Sequence, residues 1–86
     1  MKLQQLRYVL AIADSGLNIS AAASRIYTSQ PGISKQLKLL EEELGVELFV
    51  RNGRSLRAIT PAGLEIIGHA RVIMQEVERL SALKCA

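Results

Sequence analysis

At 86 residues the chain has room for one small domain, whose core is too limited for an enzyme of ordinary complexity. Hydrophobic residues are 49% of it but aromatic residues only 3%, so Leu, Ile, Val and Ala supply the apolar content, which suits packed helices better than a β-sandwich. The net charge of +3 leans toward an anionic partner, the lone Cys85 leaves no intramolecular disulfide or cysteine-based metal site, and no apolar run nears the roughly 20 residues that span a bilayer. These features predict a cytoplasmic protein with no membrane segment, cofactor or metal.

From Leu3, apolar residues at Leu3, Leu6, Val9, Leu10 and Ala13 make a helical stripe about three turns long, which Asp14-Ser15-Gly16 ends. Leu17 is expected to tuck back into the core. Asn18 or Ser20 offers an N-cap oxygen for a short second helix, about Ile19 to Ile26, in which Ala21-Ala22-Ala23 permits close approach of a neighbour. Tyr27-Thr28-Ser29 then turns the chain, with Thr28 or Ser29 able to cap a third helix that tolerates Pro31 in its first turn.

In this third helix Ile33, Leu37, Leu40 and Leu44 face a core, while Gln30, Ser34 and Lys38, with Pro31 and Lys35 beside them, form a polar stripe. A short helix, a tight turn and a longer polar-faced helix make a helix-turn-helix pattern. Periodicity alone is equally consistent with a solvated face. Glu41, Glu42 and Glu43 oppose the macrodipole at the helix C-terminus and repel phosphate, so this end is expected to point away from DNA; Gly45 follows as the left-handed terminator.

Val46 to Arg51 and Arg54 to Thr60 are short β-prone runs around Asn52-Gly53, a hairpin signal with arginines at or beside its tip. Thr60 and Pro61 then open a last helix as N-cap and first residue. Its aliphatic stripe includes Leu64, Ile67, Ala70, Ile73, Met74, Val77 and Leu80 and outruns the core available, which predicts a protruding helix that pairs with a second chain. His69 stands alone on this helix, where packing or solvent exposure accounts for it better than metal ligation.

Leu3-Gln4-Gln5-Leu6-Arg7-Tyr8, Ser20-Ala21-Ala22-Ala23, Thr28 through Gln36, Leu40 through Arg51 and Thr60-Pro61-Ala62-Gly63, in that order, resemble the N-terminal DNA-binding domain of the LysR-type transcriptional regulators. Within that family, Met1 through Tyr8 and Tyr27 through Gln36 look most like the CysB-type regulators of cysteine and sulfur assimilation. The resemblance implies a mainly α fold: a winged helix-turn-helix, with a three-helix core and a two-stranded wing, over residues 1–60, then a long dimerisation linker helix over 61–86. It also implies binding to double-stranded promoter DNA as a homodimer, or a tetramer when intact. A small-molecule effector would be bound by a C-terminal domain that is not in this chain.

By the same resemblance Gln30, Pro31, Ser34 and Lys35 match positions near bases and phosphates in the major groove, with Lys38 continuing their stripe. Lys35 lacks the bidentate fork of an arginine, which leaves open whether it reads a base or contacts a phosphate. Ser20, Thr28 and Ser29 are cap and turn residues first and DNA contacts second. Arg51 and Arg54 would lie on the wing against phosphate or the minor groove. The competing reading is a helical protein-interaction module without DNA binding; nothing in the chain supplies an acid, base or nucleophile constellation for an enzyme.

Overall fold

The computed structural model describes residues 1–53 and 55–83. Its elements are α1 (Leu3–Asp14), α2 (Ile19–Arg25), α3 (Gln30–Leu44), β1 (Phe49–Asn52), β2 (Ser55–Ile59) and α4 (Pro61–Ala82). This is the expected three-helix core with a two-stranded wing and a long final helix. The chain's one predicted tip residue that falls outside the described residues is Arg54, and Lys84, Cys85 and Ala86 lie outside them at the end.

Capping residues decide where each helix starts. Asn18 Oδ1 accepts the Ala21 N–H at 2.9 Å and so caps α2, while Ser29 Oγ accepts the Gly32 N–H at 3.1 Å and caps α3. These bonds settle both alternatives left by the sequence. Pro31 follows Gln30 in the first turn of α3, where its missing N–H costs nothing. At the other end Gly45 takes φ 73°, and its N–H donates to the Glu41 carbonyl at 2.9 Å.

α1 lies at the centre and packs against α2, α3 and α4. Leu6, Val9 and Ile12 from α1 meet Ala22, Ile33, Leu37, Leu40, Leu48, Phe49, Ile67 and Ala70 in one buried cluster. The stripe predicted on α1 is therefore displaced: Leu3 is exposed, whereas Ile12, absent from that stripe, is fully buried. Helices on several sides of α1 widen its apolar face beyond a single stripe. Gln5 is buried too, and its amide accepts the Lys2 N–H at 3.0 Å and donates to Gln36 Oε1 at 3.2 Å, tying α1 to α3.

The wing is an antiparallel hairpin pairing Phe49 with Ile59 and Val50 with Ala58, after which the register shifts and Arg51 faces Leu56. That shift leaves Arg57 without a partner and bends the ribbon. Two contacts fix the hairpin to the helices. The Glu41 carboxylate, buried on α3, accepts the Leu48 N–H at 2.7 Å through Oε2 and the Arg51 guanidinium at 2.6 Å through Oε1. On the return side, Thr60 donates its hydroxyl to the Glu47 carbonyl at 2.6 Å and its N–H to the Leu48 carbonyl at 3.0 Å. The same Thr60 Oγ1 caps α4 by accepting the Gly63 N–H at 2.9 Å. Gly63 is buried against this junction, and a Cβ there would overlap the Leu48 carbonyl.

Ile67 and Ala70 of α4 are consumed by the core, and Arg71 donates twice to Asp14, at 2.6 and 3.2 Å, anchoring the helix to the end of α1. The hydrogen bond from Arg71 holds the Asp14 carboxyl below its ordinary range, against a smaller upward push from burial. Beyond Arg71, α4 runs on out of the core. Its 22 residues span about 33 Å at 1.5 Å per residue, and the molecule measures 48 × 25 × 20 Å.

Two residues without glycine's freedom adopt left-handed backbone, Leu17 at φ 65° and Tyr27 at φ 54°. Leu17 recovers the cost by packing against the core. Tyr27 does not. It follows the C-cap of α2, in a Schellman arrangement where Thr28 N–H donates to the Ala23 carbonyl at 2.9 Å and Tyr27 N–H to the Ser24 carbonyl at 3.4 Å. Its side chain is 97% exposed, so no burial offsets the strain.

Three outcomes follow for stability. Gly63→Ala forces backbone apart at the junction of wing and α4 and is expected to cost about 2–3 kcal/mol in urea unfolding. Glu41→Ala leaves the Leu48 N–H and Arg51 without their acceptor and is expected to cost about 2–3 kcal/mol, with Glu41→Gln intermediate because its carbonyl still serves Leu48. Tyr27→Gly is expected to stabilise by about 0.5 kcal/mol, as relief of left-handed strain exceeds the added unfolded-state entropy; a lowered urea midpoint would show that the tyrosine contributes packing that its exposure conceals.

Candidate nucleic-acid interface

The exposed side of α3 collects half of the residues singled out from the sequence as DNA contacts. Gln30, Pro31, Lys35 and Lys38 are exposed and Ser34 half-buried, opposite the buried Ile33, Leu37 and Leu40. No ion pair among the described residues engages Lys35 or Lys38, so both ammonium groups are available to an external anion. Ser34 and Lys38 of α3 and Arg51 of the wing line one open groove of about 650 Å³ together with Glu41, Glu42 and Glu47. A smaller depression of about 320 Å³ lies at the N-terminal end of α3, lined by Gln30, Ser20 and Ser55 among others.

Several of these residues already hold intrachain bonds. Ser29 Oγ is the cap of α3, and Ser20 Oγ donates to Gln30 Oε1 at 2.9 Å. Thr28 is half-buried in the turn. Arg51 remains 41% exposed in its side chain, and Glu41 engages its guanidinium through one nitrogen, which leaves the other N–H groups of the fork without a hydrogen bond among the described residues. Arg54, also expected at the wing, lies outside the described residues.

The acids at the end of α3 have partners that the sequence did not disclose. Glu41 serves Leu48 and Arg51, and Glu43 pairs with the Met1 ammonium at 2.7 Å, so two of the three charges are offset by cations rather than left against the helix dipole. Periodicity held a clue to Glu41: it lies four residues after Leu37 and eight after Ile33, on the buried face. Ser55 was missed altogether, since nothing in a hairpin pattern says which strand residue approaches the start of α2.

On α4 the predicted pairing stripe divides in two. Ile67 and Ala70 belong to the intrachain core, so they are withdrawn from any outer surface; Met74 and Val77 are half-buried. Leu64, Ile73 and Leu80 are exposed, as is Leu83 at the end of the helix, and so is Val72, which the predicted stripe left out. α4 packs against α1, which takes Ile67 and Ala70, three residues apart on one face, into the core and leaves Leu64, Ile73 and Leu80 outside it. No helix of the described residues is long and apolar enough to cross a membrane.

Known proteins share both sequence and geometry with this chain. A regulator from Haemophilus influenzae, HTH-type transcriptional regulator CysB, is 49% identical over 83 residues, which is 96% of this chain and 26% of the relative. HTH-type transcriptional regulator ClcR of Pseudomonas putida is 44% identical over 78 residues, 91% of this chain and 26% of that protein. The chain thus spans about a quarter of the length of such relatives. Among solved structures, the CbnR DNA-binding domain in complex with DNA superposes with a TM-score of 0.87 at 38% identity, covering 98% of this chain and 94% of that one. The BenM DNA-binding domain on benA site 1 DNA gives 0.85 at 30% identity, covering 98% and 92%. Residues 3–64 match the family described as bacterial regulatory helix-turn-helix protein, lysR family, and with the winged fold in place the chain belongs to that family.

Proposed function

We infer that this chain is the operator-reading end of a LysR-type regulator, with residues 1–60 engaging duplex DNA and residues 61–86 pairing two copies. The observation that carries the reading is the outer face of α3, where Gln30, Ser34, Lys35 and Lys38 stand exposed or half-exposed and neither lysine is neutralised within the described residues. A helix presenting amide, hydroxyl and ammonium groups from its N-terminal half suits entry into a major groove. Ser20, Thr28 and Ser29 would contact backbone beside it, while Arg51 and Arg54 would carry the wing to phosphate or the minor groove. The solved complexes of CbnR and BenM domains with DNA support the reading by likeness.

Pairing rests on the apolar residues that α4 leaves outside the core. Leu64, Ile73 and Leu80, with half-buried Met74 and Val77, form a surface that a second copy's α4 would cover. Two recognition helices would then meet successive major grooves about 34–36 Å apart, or a multiple of that spacing. In the intact regulator two such dimers would make a tetramer, and a small-molecule effector would be bound by the remainder of the protein. The likeness to CysB points to genes of cysteine and sulfur assimilation as targets.

Fluorescence anisotropy with promoter and random-sequence duplexes tests this reading. Affinity is expected to fall steeply between about 50 and 200 mM salt, and Lys35→Ala and Lys38→Ala each to lower the slope of log K against log salt by about 1 for every phosphate contact removed. Unchanged binding in Gln30→Ala, Ser34→Ala and Lys35→Ala would remove α3 as the reading element. Absence of binding to either duplex at low salt would favour the protein-interaction module instead.

A further inference from the structure

Gln30 is the first residue of α3 and is exposed, so an isolated side chain there would turn its amide freely and offer either the carbonyl or the NH₂ edge outward. It is not isolated. Ser20 Oγ–H, from the first turn of α2, donates to Gln30 Oε1 at 2.9 Å across the helix-turn-helix junction. No capping duty competes for this hydroxyl, because Asn18 caps α2 and Ser29 caps α3. Nor does the bond rescue a buried polar group, since both residues are exposed and water would replace either partner at little cost to folding. What the bond does is orient the amide.

We propose that Ser20 is a positioning residue that makes Gln30 a donor-only reader, selecting guanine over adenine on the major-groove edge. This deepens the DNA-reading function inferred above and rests on it. Glutamine recognises adenine bidentately, accepting from the N6 amino group while donating to N7, which requires both edges of the amide on one base. With Oε1 engaged by Ser20, the NH₂ group is the edge of the amide that makes no hydrogen bond among the described residues. Guanine offers that edge two acceptors, O6 and N7; adenine sets its own N6 donor against it. The serine thus removes a pairing that the glutamine alone would favour.

The test begins with selection of duplexes from a random library by the whole chain. Wild type, Ser20→Ala, Ser20→Thr, Gln30→Ala and the double Ser20→Ala/Gln30→Ala variant are then titrated, at one salt concentration, with the enriched duplex and with its single G·C to A·T replacements. At one position the wild type is expected to prefer guanine by about fivefold, a hydrogen bond's worth of discrimination. Ser20→Ala abolishes or reverses that preference without shifting thermal unfolding, Ser20→Thr keeps it through the retained hydroxyl, and Ser20→Ala changes the guanine-to-adenine ratio no further once Gln30 is gone, whatever it does to overall affinity. An intact guanine preference in Ser20→Ala, or an equal loss with and without Gln30, overturns the inference while leaving DNA reading in place. If the wild type enriches no sequence, the DNA-reading function itself falls, and this inference with it.

Discussion

The Glu41 carboxylate is the joint on which the arrangement of wing and helices depends. Both of its oxygens are committed, one to a backbone N–H at Leu48 and one to the Arg51 guanidinium, so a single side chain fixes where β1 starts and which way its arginine leaves the strand. Leu48 and Phe49, immediately beside it, are fully buried. The hairpin alone would be marginal, as two strands with one apolar face usually are. Anchored between a buried carboxylate and the core, it becomes a rigid extension of α3. Breaking such a pair on one side is costlier than never having built it, because the remaining partner is left desolvated.

The second joint lies at Thr60 and Gly63 and works by proximity rather than charge. Thr60 bonds Glu47 and Leu48 on one side and caps α4 on the other, and Gly63 lets the helix start pass against the Leu48 carbonyl. Leu48 therefore receives both joints: its N–H belongs to α3 through Glu41, and its carbonyl belongs to the start of α4 through Thr60. One peptide segment thus couples the orientation of the polar helix to that of the long helix. In a dimer built on α4, the spacing between two copies of α3 would be set through this same segment.

Much of the fold was legible because helix periodicity, caps and turn residues act locally. The Asn52-Gly53 turn, the Gly45 terminator at φ 73° and the Thr60-Pro61 start need only neighbours in sequence to take their form. What was not legible depends on partners distant in the chain. Ile12 escaped the first stripe because its burial is decided by the other helices packed on α1, and Ile67 and Ala70 were read as outward because their depth is decided by α1. Glu41 looked like one of three exposed acids because its partners lie seven and ten residues on, beyond a helix end. Charge composition counts such a residue as solvated; only the packed structure shows that it is a link.

The candidate interface was legible in its location but not in its division of labour. A pattern of Ser, Thr, Gln and Lys around a turn marks a polar face, yet it gives the same weight to a hydroxyl that caps a helix and to one that is free. Ser29 accepts from Gly32, Asn18 accepts from Ala21 and Ser20 donates its hydroxyl to Gln30, whereas Lys35 and Lys38 make no ion pair among the described residues. Hydroxyls and amides nearest the turn are therefore engaged within the chain, and the ammonium groups a turn or two further along α3 make no ion pair among the described residues. In a helix that reads duplex DNA, such a partition would separate two demands that conflict in one residue: a group rigid enough to discriminate bases would lose its entropy early, during folding, while a group that draws in phosphate would work best on a long, unbound stem.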